Sequence, residues 1–195
     1  MSESAVETFD PTGGRITAAL ALPVAGVFVL VAAFDGEGGL GRGVGAFAAL
    51  LGVVAWASML RPRVLLVGED LVLRNMLETV SIPLAAVEEL VVRQVLAVRA
   101  GDRRYISPAV GRSWRKLVRP DASGVPGRPV TEIPYADFVE DRIRARVDEA
   151  RRVAGVRPGS PEQLALATGV RREPAWLPIG LIAAAALVLL ALLVL

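Results

Sequence analysis

Three stretches of the chain are apolar along their whole length and carry no charge: Ile16–Phe34 (nineteen residues), Gly43–Leu60 (eighteen) and Leu177–Leu195 (nineteen). A helix rises about 1.5 Å per residue, so each reaches roughly the 30 Å thickness of a bilayer's hydrocarbon layer. In lipid each backbone N–H and C=O must be paired within the segment, which favours a helix. The soluble alternative, three buried core helices, needs more chain than the segment between residues 60 and 177 supplies. The pattern therefore predicts a transmembrane hairpin (16–34, 43–60) and a third span (177–195). These spans frame an N-terminal tail (1–15), a middle domain (61–156) and a linker with a short helix (157–176).

From Arg63 to Ser107 the period changes to two. Val64–Val67, Leu71–Asn75, Thr79–Ile82, Glu88–Arg93, Val95–Arg99 and Arg103–Ser107 read as six short strands of an antiparallel meander. Gly68-Glu69-Asp70 and Ala100-Gly101-Asp102 supply glycine-containing turns, and Pro83, lacking an N–H, stops the third strand. The helical period returns at Asp137–Ala154, where Val139, Ile143, Val147 and Ala150 form one stripe that can cover the sheet. Asp137 with Glu140 suggests a capping box, and Glu140–Arg144 and Asp148–Arg152 are favourable i,i+4 pairs. Ser160-Pro161-Glu162 opens a short helix through Ala167. Pro108–Pro134 reads as a long loop whose first part mixes basic residues with Trp114.

Charge gives orientation. Twenty of the twenty-two basic residues lie between Arg61 and Arg172, against fourteen acidic ones there, a net +6. The connector Asp35–Arg42 holds one arginine, whereas Arg61, Arg63, Arg171 and Arg172 flank the spans on the side of the middle segment. Basic flanks stay in the cytoplasm. The expectation is a multi-pass protein of the cytoplasmic membrane with N-terminus and middle domain cytoplasmic and C-terminus at the outer face. A cleaved signal peptide fits poorly, because Met1–Thr12 carries Glu3, Glu7 and Asp10 with no basic residue.

Within the spans, Pro23 is a tolerated kink, and Gly45, Ala48, Ala49 and Gly52 let the second helix approach another closely. Trp56 and Trp176 sit near span ends, where indole rings prefer the interface.

The chain has no cysteine and no histidine, and its one lysine is Lys116. That removes the thiolate nucleophile, disulfides, the commonest metal ligand and the side chain that titrates near neutrality. The glycines between Gly36 and Gly45 join two apolar helices rather than a strand and a helix, so they do not form a phosphate loop. The adjacent carboxylates Glu69–Asp70, Glu88–Glu89, Glu140–Asp141 and Asp148–Glu149 point in different directions. No enzyme activity, cofactor or metal is expected.

Two N-terminal spans, the run Arg61-Pro62-Arg63-Val64-Leu65-Leu66-Val67-Gly68-Glu69-Asp70-Leu71-Val72-Leu73-Arg74-Asn75, the Ile82-Pro83 step before Val87, and the Ala100-Gly101-Asp102-Arg103-Arg104 turn resemble the bacterial pleckstrin-homology-like domains of small actinobacterial membrane proteins. The group they resemble is the low-molecular-weight protein antigen 6 type, by motif from Leu60 to Ser107 and by architecture beyond. The resemblance implies a bent antiparallel sheet, a sandwich or partly open barrel, capped by a C-terminal helix, here Asp137–Ala154. Leu84 stands where many such sequences carry tryptophan, and the family does not require a third span. It implies no biochemical activity for particular residues.

The fold class expected is thus membrane-anchored α+β, a PH-like domain with three transmembrane helices. The function expected is a non-enzymatic interaction module at the cytoplasmic face, binding a protein partner or organising an assembly. The alternative is recognition of anionic lipid headgroups by the basic surface, at about 1 kcal/mol per well-placed arginine. A second alternative is an accessory subunit of a membrane enzyme or transporter, against which stands the lack of ionisable residues in the spans. Nucleic acid is disfavoured because no recognition motif or row of stacking aromatics accompanies the charge. The candidate lipid- or partner-binding residues are Arg103, Arg104, Arg112, Trp114, Arg115, Lys116 and Arg119.

Overall fold

The computed structural model describes residues 6–10, 15–34, 39–111 and 135–194. They form an α+β protein that divides into two compact units.

The first unit joins the N-terminal strand to Arg63–Asn75 and Thr79–Glu173. Its strands are β1 (Val6–Phe9), β2 (Arg63–Val67), β3 (Asp70–Arg74), β4 (Glu78–Pro83), β5 (Glu89–Val92), β6 (Leu96–Ala100), β7 (Arg103–Ser107) and β8 (Arg171–Pro174). All six expected strands are present, but they do not form one meander. The order is β1-β2-β3-β4-β8 in one antiparallel sheet and β5-β6-β7 in another, and the sheets do not close into a barrel. The break falls after Pro83, where Leu84–Ala86 makes a 3₁₀ turn. Pro83 still pairs with Asp70, and Leu84 N donates to Glu69 O at 2.8 Å before the turn takes the chain out of the first sheet.

Alternation decides which side of each strand is buried. Val64, Leu73 and Val80 lie opposite one another across β2, β3 and β4, as do Leu66, Leu71 and Ile82, and all six are at most 1% exposed. Leu90, Val92, Leu96, Val98 and Tyr105 turn inward from the second sheet. The β2–β3 and β6–β7 hairpins have two-residue loops that open on Gly68 at φ 59° and Gly101 at φ 61°, the left-handed conformation a glycine-first loop requires.

Helix α3 (Tyr135–Ala154) covers this core with Ala136, Val139, Ile143 and Val147, the expected stripe extended by one turn, and Ala150 is partly buried against it. Glu140, the expected capping partner, accepts from the Val92 backbone N–H at 3.3 Å and from Arg144 at 2.8 Å. Asp148 pairs with Arg151 rather than Arg152, and Arg152 pairs with Glu149.

The segment expected to be a linker is built into the domain. Ser160 caps α4 (Pro161–Leu166), accepting from the Gln163 N–H, and a 3₁₀ turn Ala167–Gly169 follows. The fully buried Gln163 donates to Ala85 O (3.1 Å) and Val87 O (3.0 Å), while its own oxygen accepts from Gly159 N (2.8 Å). The N-terminal tail likewise contributes β1, which pairs with β2 from Val6↔Val67 to Phe9↔Val64. Glu7 is clamped by Arg142 of α3 through two hydrogen bonds of 2.6 and 2.8 Å.

The second unit contains α1 (Arg15–Phe34), α2 (Gly39–Ala55) and α5 (Trp176–Val194). Thr17–Phe34, Gly41–Leu60 and Trp176–Val194 are each long and apolar enough to cross a membrane. Gly45 faces Ala32 and Gly52 faces Ala25, an antiparallel register in which a Cβ added at Gly45 would lie 2.3 Å from the Ala32 Cβ. Two of the four small residues singled out on α2 thus mark the close approach of α1 and α2. The last turn of α2 continues as a π-turn over Trp56–Leu60, closed by Arg61 N donating to Trp56 O.

Candidate interaction surface

Of the seven candidate residues, the structure describes Arg103 and Arg104. Arg112, Trp114, Arg115, Lys116 and Arg119 lie outside the described residues.

Strand pairing builds the surface around Arg104. Glu89 of β5 lies opposite Arg99 of β6, and Arg99 opposite Arg104 of β7, so one row across the outward face reads acid, base, base. The next row is apolar: Val91, Ala97 and Ile106, with Ile106 51% exposed. Like charges directly opposite one another destabilise a sheet. Arg99 is partly compensated by Glu88 at 3.7 Å and donates to Gly101 O, whereas among the described residues Arg103 and Arg104 have no ion-pair partner. A concavity of about 290 Å³ opens on this face, bounded by Glu89, Arg99 and Arg104 and by Asp102 and Arg103 of the hairpin turn.

Arg103 also borders a second concavity, about 330 Å³, on the other side of the same turn. Ala100, Leu164, Ala167 and Val170 give it apolar walls, and Arg172 of β8 stands at its rim with its guanidinium 5.4 Å from the centre of the Tyr105 ring. A cation over a ring face is attracted to the π cloud and loses freedom. Gly101 also lines it, and a Cβ there would lie 3.0 Å from the Ala167 Cβ.

In the sequence Arg171 and Arg172 are best explained as flanks of the third apolar stretch. In the folded chain Arg171 pairs with Asp70 at 2.9 Å and Arg172 stacks on Tyr105. An arginine beside a span carries no signal that distinguishes a topological role from a recognition role, and Tyr105 reads as an ordinary inward strand residue. The arrangement suits binding of anions or of an acidic and apolar partner surface. Among the described residues no group of three or more His, Cys, Asp or Glu side chains could hold a metal ion.

Fold and surface together define an α+β protein with three helices able to cross a membrane and an arginine-bearing second sheet. No family model, no curated protein and no solved structure matches the chain.

Proposed function

We propose that the protein is a non-enzymatic interaction module held at the cytoplasmic face of the membrane, with a PH-like domain that binds a protein partner through the outward face of β5-β6-β7. One observation carries the anchoring: β1 and β2, the strands that precede and follow the helical hairpin, are paired side by side. A chain that crosses and returns must emerge on the side it left, and the sheet can form only if it does. In the chain, β8 ends at Pro174 and α5 begins at Trp176. Two antiparallel sheets with α3 packed on their core support the PH-like reading, and the arginine excess near the spans supports the cytoplasmic placement.

The test is site-specific photo-crosslinking of the full chain in native membranes, with the crosslinker at Arg104 or Ile106 and, as control, at Arg152. One discrete crosslinked protein species from the first two positions and not from the third is expected. No crosslinked protein at either, with a chain that is monomeric in mild detergent, would overturn the reading.

A further inference from the structure

We propose that a strand of the protein partner pairs with the free edge of β7, and that this strand is acidic opposite Arg104 and apolar opposite Ile106. The proposal rests on the partner-binding face described under the function above and says how that face is engaged.

The two edges of the β5-β6-β7 sheet differ. Along β5, helix α3 takes up the outward backbone groups: Val92 N donates to Glu140 at 3.3 Å, Leu90 O accepts from Arg144 at 3.4 Å, and Arg151 donates to Val87 O and Glu88 O. An edge covered in this way does not recruit another strand. β7 is the opposite edge. In an antiparallel ladder, residues alternate between pairs that exchange both backbone hydrogen bonds and pairs that exchange none. Ile106 O accepts from the Asn75 side chain at 3.0 Å, so Ile106 turns its backbone groups away from β6, and Arg104, two residues earlier, does the same. Among the described residues nothing partners the Arg104 N–H, the Arg104 C=O or the Ile106 N–H. The Ile106 carbonyl keeps a second lone pair beside Asn75. These groups form the row that an added strand reads.

A strand seated there continues both rows of the outward face. The row Glu89, Arg99, Arg104 ends on two adjacent arginines, a repulsion that an acidic side chain opposite Arg104 offsets. The row Val91, Ala97, Ile106 ends on a side chain 51% exposed, which an apolar neighbour covers. Every pair in this sheet is antiparallel, so the partner strand reads, from its N-terminal side, apolar, any residue, acidic. A second copy of β7 does not supply this, because Arg103–Ser107 contains no carboxylate.

Equilibrium binding of two blocked, fluorescent peptides to the full chain in a neutral detergent tests the pairing. One reads Thr-Val-Thr-Val-Thr-Glu-Thr, and the other carries lysine in place of the glutamate. Saturable binding of the glutamate peptide below about 1 mM is expected, with the lysine peptide severalfold weaker. Methylating the glutamate's backbone nitrogen removes its hydrogen bond to Arg104 O and should weaken binding about tenfold or more. Methylating the nitrogen of the threonine before it, which points to solvent, should change binding less than about twofold. These arms alter the peptide alone and need no variant to fold. Arg104→Glu, melting no lower than the wild type, should reverse the preference between the two peptides. No saturable binding of the glutamate peptide, equal effects of the two methylations, or an unchanged preference in Arg104→Glu would overturn the strand pairing. Crosslinking of Ile106 to a second copy of the chain would overturn it too, assigning the edge to self-association. If a discrete protein still crosslinks at Arg104, such a result refutes the strand alone, whereas loss of that crosslink refutes the face itself.

Discussion

The two units contain the same kinds of apolar side chain in opposite surroundings. In the β-rich unit Leu66, Leu71, Ile82 and Ile143 are at most 1% exposed, whereas in the helical unit Leu20, Val27, Val31 and Leu187 are 58–68% exposed. The first unit buries its apolar surface on itself and leaves arginines outward. The second pairs its backbone internally and turns its apolar surface outward, the pattern of helices long and apolar enough to cross a membrane. The same kinds of residue thus sit in different surroundings, and truncation at an inward site of the first unit should cost far more than at an outward site of the second.

The largest expected effect is cavity formation. Ile143→Ala removes a fully buried side chain from the α3 stripe and should destabilise the β-rich unit by about 2–5 kcal/mol, measured by chemical denaturation in detergent. Val31→Ala, on an outward face of α1, should stay within about 0.5 kcal/mol. Equal losses at both sites would erase the contrast between the units.

That contrast was legible in the sequence because periodicity records which side of an element is buried. The three spans, the six middle strands and the α3 stripe all follow from apolar spacing. The edges were not legible. β1 reads Val-Glu-Thr-Phe and β8 reads Arg-Arg-Glu-Pro; β1 buries Phe9 alone in the core and β8 is exposed throughout, so neither shows the repeated alternation that marks a strand. The division into two sheets was hidden for a related reason, since Pro83 marks the end of a strand but not the sheet the next strand will join. Of the interaction surface, Arg103 and Arg104 were visible as exposed arginines on a strand. Arg99 and Arg172 were not, because only register and tertiary packing bring them beside those two.

A smaller effect tests close packing in the helical unit. Gly45→Val forces a branched side chain into the Ala32 Cβ and should cost about 1–3 kcal/mol of hairpin stability. A Cβ added at Gly26 meets nothing within 4 Å, and Gly26→Val should be nearly silent. Steric-trap unfolding in bicelles compares the two, and an equal cost would show that Gly45 does not mark the contact. In the β-rich unit, Ser160→Ala removes the α4 cap and should cost about 1 kcal/mol, read from the denaturation midpoint.

The smallest effect concerns the N-terminal strand. Arg142 lowers the Glu7 pKa by hydrogen bonding and charge. The stabilisation is therefore fully present above the ordinary carboxylate pKa and is lost as pH falls through the lowered folded value. Protection factors of the β1 amides, exchange rates corrected for the intrinsic pH dependence, should fall in acid below about pH 4, and Glu7→Gln should flatten that dependence. An unchanged acid response in Glu7→Gln would place the sensitivity elsewhere.

The decisive comparison uses the natural absence of cysteine. Single variants Thr8→Cys in β1, Glu149→Cys in α3 and Gly38→Cys in the hairpin connector can be labelled in intact cells with a membrane-impermeant thiol reagent. Pairing of β1 with β2 across a hairpin that spans the membrane predicts that Thr8→Cys and Glu149→Cys label only after lysis and that Gly38→Cys labels in intact cells. Opposite accessibility of Thr8→Cys and Glu149→Cys, or identical accessibility of all three, would contradict a domain assembled on one side of the membrane from both ends of the hairpin.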